Sequence, residues 1–132
     1  MSFNLGAALA VFLAAGATPG TDGSVTPQSM QQVAPGIAPA ALKAMMAAQT
    51  KFVLVDVREP AEFAAGHIDG ALAMPLGTIE TAYRTLPAGV TLVVYCREGN
   101  RSAKAVSFLV SHGYPKAVSL DGGYTAWSAL PR

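Results

Sequence analysis

The chain has 132 residues, 52% of them hydrophobic and only 13% charged, with nine basic and eight acidic side chains. That length holds one domain, and the apolar content excludes a disordered chain. A net charge of +1 with no polybasic run excludes an electrostatic grip on nucleic acid or anionic lipid. The single cysteine, Cys96, excludes an internal disulfide and any multi-thiolate zinc site.

The charge is uneven, because before Lys43 the only charged side chain is Asp22. Residues 5–15 read LGAALAVFLAA, and as a helix they span roughly 16 Å, too short for a stable membrane span. The run suits the apolar core of a secretory signal, and Ala15-Gly16-Ala17 has the small-x-small form of a cleavage site. No Lys or Arg precedes it, so an untargeted Ala-rich tail is the competing reading. The expectation is a signal peptide over residues 1–17 and a periplasmic or secreted protein, otherwise a cytoplasmic one. Residues 18–36, rich in Gly, Pro, Ser, Thr and Gln, read as a flexible linker. Residues 37–132 then form the globular domain.

Pro39 opens a helix with Leu42, Met45 and Met46 on its buried stripe. Residues 52–57, FVLVDV, form an apolar run without alternation, as in a parallel strand covered on both faces. A short helix over residues 60–65 is stopped by Gly66, and residues 71–74 form a short strand ended by Pro75. A helix is expected over residues 78–86 and a second buried strand over 91–95. The helix over 100–112 carries Ala103, Val106, Leu109 and Val110 on one side and ends at Gly113-Tyr114-Pro115. A last strand over 116–120 leads through Gly122-Gly123 into a final helix with Trp127. This alternation predicts an α/β, three-layer domain with a mainly parallel central sheet flanked by helices.

Cys96 lies in the sequence Tyr95-Cys96-Arg97-Glu98-Gly99-Asn100-Arg101-Ser102, between a buried strand and an amphipathic helix. That is the carboxyl end of a parallel strand, where open α/β sheets bind ligands. The following helix directs free N–H groups and its positive dipole end at the loop, which favours the thiolate. Arg97 and Arg101 act in the same direction and Glu98 opposes them. Gly99 can take a positive φ, so that successive amides converge as an anion nest. A cysteine that merely packs would not be flanked by two arginines and a glycine turn, and a redox sensor wants a resolving thiol that this chain lacks. His67 reads as a structural hydrogen-bonder, His112 in the last turn of its helix as a complement to the helix dipole, and Phe108, Tyr124 and Trp127 as core.

Three motifs in order resemble the rhodaneses, specifically the single-domain sulfurtransferases of the thiosulfate sulfurtransferase type. They are Asp56-Val57-Arg58-Glu59-Pro60 with Glu62-Phe63 and Gly66-His67-Ile68-Asp69-Gly70-Ala71, then the Cys96–Ser102 loop, then Leu120-Asp121-Gly122-Gly123-Tyr124 leading to Trp127. The chain departs from the family pattern at Met74, where an asparagine is common. The resemblance implies ping-pong transfer of a sulfane sulfur from thiosulfate or a similar small anionic donor, through a Cys96 persulfide, to cyanide or a thiol, including a protein thiol. Arg97, Glu98, Gly99, Asn100, Arg101 and Ser102 would bind substrate, the arginines by charge, and Gly99, Asn100 and Ser102 by backbone N–H. Asp56 and Arg58 would border the site, or else pair, Asp56 with a nearby arginine and Arg58 with Glu59 or Glu62. Neither a metal nor an organic cofactor is implied.

Phosphatases of the Cdc25 type and arsenate reductases resemble this family but carry one more residue between cysteine and arginine, and the phosphatases typically place a histidine before the cysteine. Here four residues separate Cys96 from Arg101, and Tyr95 precedes the cysteine. The shorter loop leaves less room for a tetrahedral phosphate ester, which favours sulfur transfer. A persulfide carrier without turnover is the third reading.

Overall fold

The computed structural model describes residues 34–131, so the expected signal peptide and all but the last three residues of the expected linker lie outside the described residues. Among the described residues five strands form one sheet in the order β1-β5-β4-β2-β3, and every neighbouring pair is parallel. In chain order the strands are β1 (Gly36–Ile37), β2 (Phe52–Asp56), β3 (Leu72–Ala73), β4 (Thr91–Tyr95) and β5 (Ala117–Leu120). The helices are α1 (Pro39–Ala47), α2 (Pro60–Ala65), α3 (Ile79–Ala82), α4 (Asn100–Ser111) and α5 (Gly123–Ser128). None is long and apolar enough to cross a membrane.

The central strands β2 and β4 are the two apolar runs of the sequence, and they pair in register from Phe52 opposite Thr91 to Asp56 opposite Tyr95. Their alternate side chains feed two cores. Val55, Leu92 and Val94 pack with Val106 and Leu109 of α4 and with Ile79 and Leu86. Leu54, Val93 and Tyr95 pack on the other face with Leu42 of α1 and Trp127 of α5. This is the expected three-layer α/β arrangement, with both faces of a parallel sheet covered.

Three local expectations change. The helix over 78–86 is instead a 3-10 turn (Leu76–Thr78), the single turn α3, and a second 3-10 turn (Tyr83–Thr85). The hydroxyls of Thr78, Thr81 and Thr85 donate to the carbonyls three residues earlier, at Pro75, Thr78 and Ala82. Such bonds compete with the regular helical ladder. Tyr114 Oη donates to the carbonyls of Tyr83 and Leu86, which fixes the end of the segment. Second, the chain is already in the sheet at Gly36, because β1 pairs with β5 and the Pro35 carbonyl accepts the Ser119 N–H. A two-residue edge strand carries too little apolar pattern to stand out beside a polar segment. Third, Val110 is exposed, and the buried stripe of α4 runs through Ser102, Ala105, Val106 and Leu109. Where sequence predicts its end, α4 closes as expected: Gly113 has φ 99° and the Tyr114 N–H reaches back to the Leu109 carbonyl.

The order of the strands locates the site. From β2 the chain passes to β3 on one side, whereas from β4 it passes to β5 on the other. The two departures leave a crevice between the carboxyl ends of β2 and β4. Asp56 ends β2 there and Cys96 follows β4. At the lip, Asp56 is 1% and Arg58 5% exposed, and they pair at 2.7 Å. Leaving one of two buried charges unpaired is costly, so Asp56→Ala is expected to lower stability by about 3–5 kcal/mol. Urea denaturation measures this as a lower midpoint with an unchanged slope.

Candidate active site

Cys96 ends the buried strand run and is 1% exposed. Its Sγ accepts hydrogen bonds from the Gly99 N–H at 3.0 Å and the Ser102 N–H at 3.3 Å, with Ser102 Oγ at 3.5 Å. No side chain caps α4 at its N-cap residue, Gly99. The sulfur takes that place, because Ser102 is the third residue of the helix and its N–H is one of the orphan donors of the first turn. Gly99 has φ 114°, a left-handed conformation in which its amide turns back onto the sulfur. Burial by itself pushes the Cys96 thiol up. The Ser102 hydroxyl and the N–H groups of Ser102, Gly99 and Glu98 outweigh it, and the net shift is downward, toward the thiolate.

A second helix fixes the other side of the loop. The Tyr124 N–H donates to the Cys96 carbonyl at 2.8 Å and the Thr125 N–H to the Arg97 carbonyl at 3.0 Å. The contact is tight enough to require glycine. Gly123 has φ 61°, and a Cβ there would lie 2.5 Å from the carbonyl oxygens of both Cys96 and Arg97. From sequence the Gly-Gly pair reads as a turn, whereas here it is the floor on which the cysteine loop rests.

The arginines divide into tethered and free. Arg101 makes a bidentate pair with Glu62 of α2, at 2.9 and 3.1 Å, and holds that carboxyl down at about 2. Glu62 also accepts the Glu59 N–H in the capping box of α2, so one carboxylate joins that helix to the first turn of α4. Arg58 pairs with Asp56, not with Glu59 or Glu62. Its Nη2 also donates to the Gly66 carbonyl at 2.6 Å, and its guanidinium lies 4.4 Å from the centre of the Tyr124 ring. The short spacing from Asp56 to Arg58 at a strand end explains the choice, since the Asp56 carboxylate accepts both the backbone N–H and the guanidinium of Arg58. Asp56 and Arg58 therefore brace the lip of the site.

Arg97 is exposed and has no charged partner among the described residues. It lines an open groove of about 450 Å³ with Arg58, Glu62, Ala65, Gly66, Tyr124, Thr125 and Ser128. Glu98 and Asn100 are exposed, and the backbone amide of Glu98 favours the thiolate. Ser119 was not visible as a site residue from sequence. Its Oγ lies 2.8 Å from Ser102 Oγ, beneath the loop. Tyr95 is buried and accepts the Ile68 N–H at its hydroxyl. His67 and His112 each bond the carbonyl four residues earlier and stack on Phe63 and Phe108. Met74 is core.

The Gly123 contact yields a direct test. Gly123→Ala is expected to cost about 2 kcal/mol or more and to slow alkylation of Cys96 by iodoacetamide about tenfold at neutral pH. Gly70 is also left-handed, at φ 86°, but has open space around it. Gly70→Ala should cost only the backbone strain, about 1 kcal/mol, and leave alkylation unchanged.

Comparison with known proteins agrees with this geometry. The rhodanese-like domain family matches residues 38–130. A protein named sulfurtransferase from Allochromatium vinosum is 41% identical over 76 residues, 58% of this chain and 71% of that one. The thiosulfate sulfurtransferase GlpE of Pseudomonas putida is 38% identical over 77 residues, 58% of this chain and 70% of that one. The human single-domain sulfurtransferase TSTD1 superposes with a TM-score of 0.68 at 29% identity, over 76% of this chain and 100% of that one. With its parallel sheet, its loop on the α4 N-terminus and a family match over nearly all of the described residues, the chain belongs to the rhodanese-like domain family.

Proposed function

We propose that this chain is a thiosulfate sulfurtransferase that works through a persulfide on Cys96. The observation that carries the reading is the sulfur itself, buried at a helix N-terminus and accepting the Gly99 and Ser102 amides, with its ionisation favoured. The Cys96 thiolate attacks the outer sulfur of thiosulfate. A Cys96 S–S bond forms, the S–S bond of thiosulfate breaks, and its electron pair leaves with sulfite. The outer sulfur then carries the negative charge. Cyanide or a thiolate attacks that outer sulfur, takes it as thiocyanate or a new persulfide, and returns the Cys96 thiolate. No general base is required once the thiol has ionised.

The arginines divide the work. Arg97 is the cation open to an arriving anion, whereas Arg101 enters the site with its charge already opposed by Glu62. Amides and the α4 dipole carry the local stabilisation of charge on sulfur. The relatives named as sulfurtransferases support sulfur transfer in general, and thiosulfate is the donor we infer. Export through the leader over residues 1–17 completes the reading, and N-terminal sequencing of protein recovered from its source cell should find a chain that begins after Ala17.

Intact mass tests the chemistry. Incubation with thiosulfate should add one sulfur, roughly 32 Da, removed again by cyanide and absent in Cys96→Ser. A chain that takes no sulfur from thiosulfate or any other sulfane donor would refute the proposal.

A further inference from the structure

The hydroxyl of Ser119 is a buried polar group with no part in the chemistry above. It sits in β5 on the face shared with Ala117, which packs against α4, and the residue is 6% exposed. A hydroxyl in such surroundings costs free energy unless it is hydrogen-bonded. Its side-chain partner among the described residues is Ser102 Oγ, at 2.8 Å.

Ser102 stands at a branch. Its Oγ lies 3.5 Å from Cys96 Sγ and 3.2 Å from the Gly99 carbonyl. A hydroxyl has one proton and two lone pairs. If Ser102 gave its proton to Ser119, none would remain for the sulfur, and the Ser119 proton would be a buried donor without a partner. If Ser119 donates instead, its own proton is satisfied and only acceptor capacity goes unused, the cheaper of the two deficits. The Ser102 proton is then left to choose between the Gly99 carbonyl and the sulfur. With the thiol neutral it takes the carbonyl, and Sγ–H donates to Ser102 Oγ. With the thiolate present it turns to Sγ.

We propose that Ser119 is a positioning residue for the nucleophile: its hydroxyl donates to Ser102 Oγ and so directs the Ser102 proton onto the Cys96 thiolate. The proposal rests on reading Cys96 as the nucleophile. The charged groups around the sulfur are Arg97 and Glu98 in the loop, Arg101 on α4 with Glu62 from α2, and the Asp56–Arg58 pair at the end of β2. None of them is hydrogen-bonded to the Ser119 hydroxyl, so a substitution at Ser119 reads the hydroxyl chain alone.

The test is the ionisation of Cys96, followed by thiolate absorbance and by alkylation rate across pH, in Ser119→Thr, Ser119→Val and Ser119→Ala. Threonine and valine have nearly the same shape and differ in the hydroxyl. Loss of the hydroxyl in the valine and alanine variants should move the midpoint to higher pH and slow alkylation below the midpoint about threefold to tenfold. The limiting rate at high pH should stay near that of the parent, and threonine should titrate like serine. In a Ser102→Ala background, Ser119→Val should produce no further shift. A parent-like midpoint in the valine and alanine variants overturns the proposal. So does a threonine variant that shifts like valine, or a full shift that persists without Ser102. If a β-branched residue does not fit, alanine carries the test. Failure of thiosulfate and every other sulfane donor to load sulfur would refute the proposed function and leave this titration intact.

Discussion

Two hydrogen bonds from the first turn of α5, to the carbonyls of Cys96 and Arg97, set the shape of the loop on which the site depends. They form because Gly123 lets the backbone of one helix start approach the loop more closely than any side chain would permit. With these carbonyls drawn toward α5, the neighbouring amides of Gly99 and Ser102 converge on the sulfur. The exchange takes up free N–H groups at the start of both helices. Every helix begins with N–H groups that have no partner within it. At α5 they are taken up by the carbonyls of the loop, and at α4 by the cysteine sulfur. Two helix N-termini thus meet at one short segment, and the parallel sheet, which sends strand ends and helix starts to the same edge, is what brings them there.

The electrostatics follow from that meeting more than from the arginines. The sequence around Cys96 suggests a cationic loop, yet Arg101 is opposed by Glu62 and nearby Arg58 by Asp56. Both pairs tie elements together: one joins α2 to α4, and the other braces the end of β2. Arg97 alone faces the groove without a carboxylate partner among the described residues. Short-range donors aimed at the sulfur are insensitive to salt, whereas attraction of an anion by an exposed guanidinium is screened over about 10 Å at moderate ionic strength. Holding the nucleophile ready and attracting its substrate are therefore separable properties of this site.

The central strands and α4 were legible because their signals are strong: two apolar runs without alternation, and an amphipathic stretch closed by Gly113. The Cys96 loop was legible because a lone cysteine between a strand and a helix, beside a glycine, has few structural uses. What was not legible depends on contacts between distant residues. The one carboxylate near Arg101 in sequence is Glu98, and only the fold brings Arg101 to Glu62, 39 positions away. Ser119 lies in a strand where a serine carries no pattern, and it becomes part of the site only when β5 is laid beside the first turn of α4. The broken helix before β4 shows the converse. A helix is expected over residues 78–86, but three threonine hydroxyls compete for the carbonyls on which a regular helix depends.

Burial of Cys96 sharpens what these contacts must do. A sulfur that is 1% exposed gains little from water when it ionises, so the protein must supply the donors that solvent would. It supplies them as directed bonds from Gly99 and Ser102, each fixed by its own constraint: a left-handed glycine and a helix turn, with the loop between strand and helix held by α5. Bonds that share one acceptor are energetically coupled, and they are lost together when the loop shifts. Ionisation of the nucleophile is then a property of the loop geometry as a whole. A change in the floor beneath the loop should therefore weigh on the thiolate as heavily as a change in a residue that touches it.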